Sequence, residues 1–153
     1  MSVEQTLQEK GIVLPAVSPA LASYLPVVVE NGIAYVSGQL PFVDSAIVTG
    51  TLGKDVGLER AQQAARACGL MILAQLRAEL GSLDRVQRIV KLGGFVASTP
   101  DFIDQHKVVN GASDLMAEVF GDAGRHARAA VGVPALPLGA AVEVDAIVAV
   151  TPA

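Results

Sequence analysis

Near the C-terminus, the stretch RHARAAVGVPALPLGAAVEVDAIVAV sets Arg128 at the head of a strand-like run of small apolar residues, with no carboxylate until Glu143. A guanidinium is costly to bury and seldom sits inside without a partner. Two kinds of partner are open to it. If PALPLGA turns the chain back as an antiparallel hairpin, Arg128 lies near residues 145–147 and pairs with Asp145. Such a surface contact is worth about 0.2–1 kcal/mol. Alternatively, the small residues Ala129, Ala130 and Gly132 leave space beside the guanidinium, which suits bidentate capture of a small carboxylate.

Other chemistry-bearing residues are sparse. His106 and His126 lack a credible ligand set, so no metal is expected. Cys68 is the one cysteine, which excludes an internal disulfide and a cysteine-based metal cluster. It falls on an apolar helix stripe and reads as core packing.

The elements that must position these residues follow from periodicity and punctuation. Ser2 can cap a short helix over VEQTLQEK, which Gly11 can end. LPVVVENGIAYVSG reads as a hairpin turning at Asn31-Gly32, and AIVTGTLG as a short third strand or irregular segment. A long helix begins at Asp55 or nearby and runs to Leu80, closed by Gly81. Its stripe is Ala61, Ala65, Cys68, Ile72, Leu76 and Leu80.

RVQRIVKLGGFVAS reads as a strand, with Gly93-Gly94 as a bulge or a close backbone approach. A second helix covers roughly Ile103 to Phe120, or else a loop leads to a shorter helix from about Ala112, because Asn110-Gly111 interrupts the pattern. Two strands, about 128–134 and 142–150, finish the chain. The order ββ(β)αβαββ implies one α+β domain over residues 1–153, a mixed sheet with its two main helices on one face. The bare face then needs cover, which a second subunit could supply.

Composition narrows the function classes. Of 153 residues, 52% are apolar and 17% charged, which excludes disorder and requires extensive burial. There is no Trp, and only two Tyr and four Phe, so base-stacking platforms are disfavoured. A net charge of −4 without a basic run also gives a polyanion little help. The polar N-terminus MSVEQTLQEKG and the absence of a long apolar run point to a cytoplasmic protein without membrane partners. Its mean hydropathy of +0.49 is high for a small monomer and suggests surface buried between subunits.

RHARAAVGVPALPLGAAVEVDAI resembles the C-terminal signature of the Rid (YjgF-type, endoribonuclease L-PSP) family, and YVSGQLP at 35–41 resembles that family's second-strand motif. GSLDRVQRIVKL and a helix ending EVFGD fit the family's intervening spacing, so that the resemblance spans about Ser18 to Val150. It implies a chorismate-mutase-like α+β fold, a homotrimer, and ligand clefts between subunits. The activity implied is hydrolysis of reactive 2-enamino and 2-imino acids to 2-keto acids and ammonia, with no cofactor.

Matched to the family's motifs, Arg128 corresponds to the arginine that grips the substrate carboxylate and Glu143 to the glutamate beside the attacking water. Tyr24 lines the cleft, Ser37 and Gly38 border the pocket, and Asn110 matches an asparagine of the second helix. Ala130 stands at the pocket where many members have a cysteine, and YLPV replaces the family's usual tyrosine segment. Plainer roles stay open: Tyr24 covering a strand end, Ser37 capping a turn, Glu143 as an exposed strand carboxylate, Asn110 as a turn former. Two rival functions also stay open, a binding or regulatory module that holds a 2-keto acid without turnover, and RNA cleavage.

Overall fold

The computed structural model describes residues 1–17 and 22–153; residues 18–21, which open the SPALASYLP segment, lie outside it. Helix α1, Val3–Glu9, starts at a capping box: Ser2 Oγ accepts from the Gln5 amide at 3.1 Å, and Gln5 Oε1 accepts from the Ser2 amide at 3.0 Å. Strands β1, Val27–Glu30, and β2, Ile33–Gln39, form the expected hairpin. At its turn Asn31 and Gly32 take φ of 52° and 77°, as a turn matching the sheet's twist requires. Two-residue strands β3, Phe42–Val43, and β4, Ala46–Ile47, form a small separate hairpin.

Helix α2, Leu58–Leu80, ends at Gly81 in the left-handed region, φ 84°. All six stripe residues are buried, but so are Ala64, Met71, Leu73 and Ala74 on neighbouring positions. The burial is wider than one stripe because α2 is packed by the sheet on one side and by α3, Gln105–Phe120, on the other. The two helices meet almost backbone to backbone: a Cβ at Gly111 would run into the Gln62 carbonyl, and one at Gly69 would lie 2.8 Å from Leu115.

That contact explains why Asn110-Gly111 does not break α3, which runs without interruption. Gly111 is a packing residue inside the helix. Gly111→Ala adds about 1 kcal/mol of helix propensity but drives a methyl group into a fixed main chain, at about 1–3 kcal/mol or more. The expected result is a melting temperature lowered by several degrees in a scanning calorimetry or circular dichroism melt. A raised one would show that the helices part freely.

Strands β5, Val86–Ala97, β6, Ala127–Val133, and β7, Val142–Val150, complete a five-stranded sheet in the order β1-β2-β7-β5-β6. Only β5 and β6 pair in parallel. The expected β6–β7 hairpin is therefore wrong. A strand that follows a crossover helix returns parallel to the one before it, so α3 delivers β6 to the outer edge of β5. Residues 134–141 are too long for a tight turn and carry the chain past β5, pinned by bonds from the Ala141 amide to Val48 O and the Gly50 amide to Gly139 O. β7 then inserts between β2 and β5, where Val142, Val144 and Val148 are fully buried.

Gly93 and Gly94 are close-approach sites: a Cβ there would meet the Asp145 carboxylate and Val109, respectively. The register breaks of β5 come earlier, between Val86 and Arg88 and between Ile89 and Lys91.

Both long helices cover one face of the sheet. The other is bare and largely apolar. Val28, Tyr35 and Val131 are 45%, 49% and 45% exposed there, enough to mark a surface suited to covering by another molecule. Among the described residues no helix is long and apolar enough to cross a membrane.

Candidate functional site

The register across the sheet decides which site residues can meet. Val131, Phe95 and Glu143 form one row on the bare face. Arg128, Leu92 and Ala146 form a row on the helix-covered face, where Leu92 and Ala146 are buried. Arg128 and Glu143 thus project from opposite faces of one sheet. The cross-strand pairing of Arg128 with Asp145 is excluded for the same reason, since Asp145 shares the bare face with Glu143 and is opposite Gly93.

Glu143 stands in a cleft of about 980 Å³ that also takes in Tyr24, Ser37 and Gly38, together with Phe42, Met71, Gln75 and Leu138. The β2–β7 register slips between Val36 and Gln39, so a bulge at Ser37-Gly38 bends β2 beside Glu143. Glycine is required at 38, because a Cβ there would lie 2.8 Å from the Glu143 carboxyl carbon. Ser37 caps no turn; its hydroxyl donates to Leu25 O at 2.8 Å and ties the segment carrying Tyr24 to the strand. Tyr24 is 60% exposed at the rim. Beneath, the buried amide of Gln75 donates to Gln39 Oε1 at 3.4 Å, and Gln39 donates to Ser37 O at 2.9 Å.

Glu143 is half-buried, and its carboxyl is pushed above the usual range by burial first and by the neighbouring Asp145 charge second. Asp145 is also raised, by burial, partly offset by the Gly93 main chain and the Lys91 ammonium. A carboxyl raised in the folded state holds its proton more tightly there than in the unfolded chain, so stability falls as pH rises through the window between the two values. Asp145→Asn should remove part of that loss. Its urea midpoint should change less than that of the wild type between acid and neutral pH. An unchanged pH dependence would show that Asp145 is solvated like an ordinary carboxylate.

Arg128 is held on the other face by α3. Its Nη1 donates to Asn110 Oδ1 at 2.8 Å and to Ser113 Oγ at 3.0 Å, and its Nη2 donates to His106 O at 3.2 Å. Every one of these acceptors is uncharged. Among the described residues the ion pairs are Arg66–Glu118, Arg77–Glu4 and Lys107–Asp104, none involving Arg128. Asn110 is thus a helical residue aimed at the guanidinium, and Ala130 follows two positions along the same face of β6.

The tertiary structure therefore divides the candidate residues into two groups. Tyr24, Ser37, Gly38 and Glu143 share the cleft; Arg128, Asn110 and Ala130 do not line it. Ser113 and the His106 carbonyl had no place in the sequence reading. The signal was present, because 106, 110 and 113 fall at i, i+4 and i+7 on one face of an unbroken helix. Cys68 is fully buried, its thiol pushed well up by burial and then by Glu143, and it packs in the core as expected. No group of three or more potential metal ligands occurs among the described residues.

A mixed sheet with helices on one face, β7 inserted between the β1–β2 hairpin and the parallel β5–β6 pair, defines a chorismate-mutase-like α+β protein. The family described as "YjgF/chorismate_mutase-like, putative endoribonuclease" matches residues 4–149, and the chain belongs to this YjgF/Rid family. It is similar to Protein TCP17 of Trypanosoma cruzi, 51% identical over 148 residues that cover 95% of this chain and 92% of that one. A structure of the Agrobacterium tumefaciens protein Atu1372, of unknown function, is 50% identical and superposes with a TM-score of 0.89, covering 97% and 93% of the two chains. A Shewanella oneidensis protein, whose structure is described in the same endoribonuclease terms, is 32% identical with a TM-score of 0.93 and coverage of 98% and 100%.

Proposed function

We propose that the protein hydrolyses reactive 2-enamino and 2-imino acids to 2-keto acids and ammonia, at a site completed when copies of the chain associate as a homotrimer. The observation that carries this reading is the state of Arg128: a guanidinium tethered by neutral acceptors, its charge unmatched by any described carboxylate. Such a group is prepared to bind an anion. Glu143 in its cleft supplies the complementary function, since a carboxyl raised by burial is a stronger base than an exposed one.

Because the two residues point from opposite faces of one sheet, a single chain cannot present both to one small molecule. Association that covers the bare face and also reaches round the outer edge of β6 is what would bring Arg128 of one copy to Glu143 of another. The chemistry then needs little machinery. An enamine tautomerises to the imine, and the protonated imine is already electrophilic. Arg128 fixes the substrate carboxylate, which gains rate through orientation. Glu143 takes a proton from water as it adds to the imine carbon and returns it to the nitrogen of the resulting carbinolamine; the carbon–nitrogen bond then breaks and ammonia leaves as the hydroxyl loses its proton and the carbonyl forms. No cofactor is required.

The test is a coupled assay in which an amino-acid oxidase generates 2-iminobutanoate in the presence of the protein. Accelerated imine loss with matching ammonia release is expected. Calorimetric binding of 2-ketobutanoate without any acceleration would favour a ligand-binding module. Degradation of RNA by the purified protein, lost on substitution of Arg128, would favour nuclease activity.

A further inference from the structure

We propose that Ser113 and His126 are positioning residues for the Arg128 guanidinium, setting the edge it presents to a carboxylate ligand; this rests on the reading of Arg128 as the anion anchor. The chain of hydrogen bonds begins at a backbone carbonyl. His126 Nδ1 lies 2.7 Å from Gly124 O, and a carbonyl can only accept, so Nδ1 carries the proton. In the neutral ring Nε2 is then an acceptor, and Ser113 Oγ lies 2.9 Å from it. The serine hydroxyl must donate to Nε2, which turns its lone pairs toward Arg128 Nη1 at 3.0 Å. One carbonyl at one end and the donor-only guanidinium at the other thereby agree on the direction of three successive hydrogen bonds.

The consequence is a fixed fork. With Asn110 Oδ1 and His106 O as the other anchors, three of the five N–H groups are engaged among the described residues. Those remaining, on Nη2 and Nε, belong to the two nitrogens of one edge, the arrangement that meets a carboxylate bidentately. The tether is also uncharged throughout, so orientation is gained without neutralising the cation. An aspartate at 113 would hold the arginine more strongly and compete with the ligand.

Ser113 and His126 resemble a nucleophile and base at first sight. The guanidinium draws on the serine oxygen's lone pairs, however, and an oxygen hydrogen-bonded to a cation is a poorer nucleophile. The pair therefore orients rather than attacks.

The experiment measures 2-ketobutanoate affinity by calorimetry and 2-iminobutanoate kinetics for the wild type, Ser113→Ala, Ser113→Thr, His126→Ala and Arg128→Ala, with melting temperatures recorded for each. Loss of one anchor of the guanidinium, with water able to replace it in part, should weaken affinity and raise KM about three- to tenfold for Ser113→Ala and His126→Ala, with kcat changed less than about twofold. Ser113→Thr, which keeps the hydroxyl, should return close to the wild type. In an Arg128→Ala background, Ser113→Ala should have no further effect, the signature of acting through the arginine. Wild-type affinity in both single variants, alongside loss in Arg128→Ala, would overturn the positioning role and leave the anchor intact. An Arg128→Ala variant that still binds and turns over would overturn the anchor, and the positioning role with it.

Discussion

Arg128→Ala should reduce kcat/KM for 2-iminobutanoate by at least about a hundredfold, since two charge-assisted hydrogen bonds to a carboxylate are lost together. The loss should not come from unfolding. The three acceptors that Arg128 leaves behind, on His106, Asn110 and Ser113, lie on a partly exposed face of α3, where water can replace it. Melting temperature and oligomeric state, followed by circular dichroism and light scattering, should remain close to the wild type. Arg128→Lys should recover little, because an ammonium is a point charge and cannot reproduce the planar fork. Full activity in the alanine variant would end the proposed role.

Glu143→Gln should lower kcat by about a hundredfold to ten-thousandfold, the range a positioned general base supplies. The pH profile makes the assignment specific. Glu143 acts only when deprotonated, and burial together with Asp145 raises its carboxyl above the ordinary range. Wild-type activity should therefore fall on the acid side at a pH above that of an exposed glutamate, and the glutamine variant should lose this limb. Stability should move the other way. A half-buried carboxylate that resists ionisation weakens the fold at neutral pH, so the variant should melt no lower than the wild type. A variant that loses activity and stability together would point to a structural carboxylate. Stopped assays of ammonia release from acid to neutral pH, with parallel melts, separate the two cases.

The sequence by itself determined most of the elements, because their signals are local. Asn31-Gly32 dictated the first hairpin, Ser2 the first cap, Gly81 the end of α2, and alternate valines in residues 142–150 the buried face of β7. Which residues of a strand share a side was legible too, Arg128 with Ala130 and Glu143 with Asp145, each from strand alternation alone. Which strand lies beside which was not. An extended run such as β6 can pair on either side, and only the crossover through α3 sends it to the edge of β5, away from β7.

That placement decided the partner of Arg128. It took the guanidinium from Asp145 and gave it the α3 residues His106, Asn110 and Ser113. Gly111 hid their common face, because glycine inside a helix lowers its local propensity, while the reason for glycine there is the Gln62 carbonyl of another helix. Local chemistry writes the elements and their caps into the chain. Contacts between residues distant in sequence, which no short window can contain, set the sheet order, the helix-to-helix approach and the separation of Arg128 from Glu143.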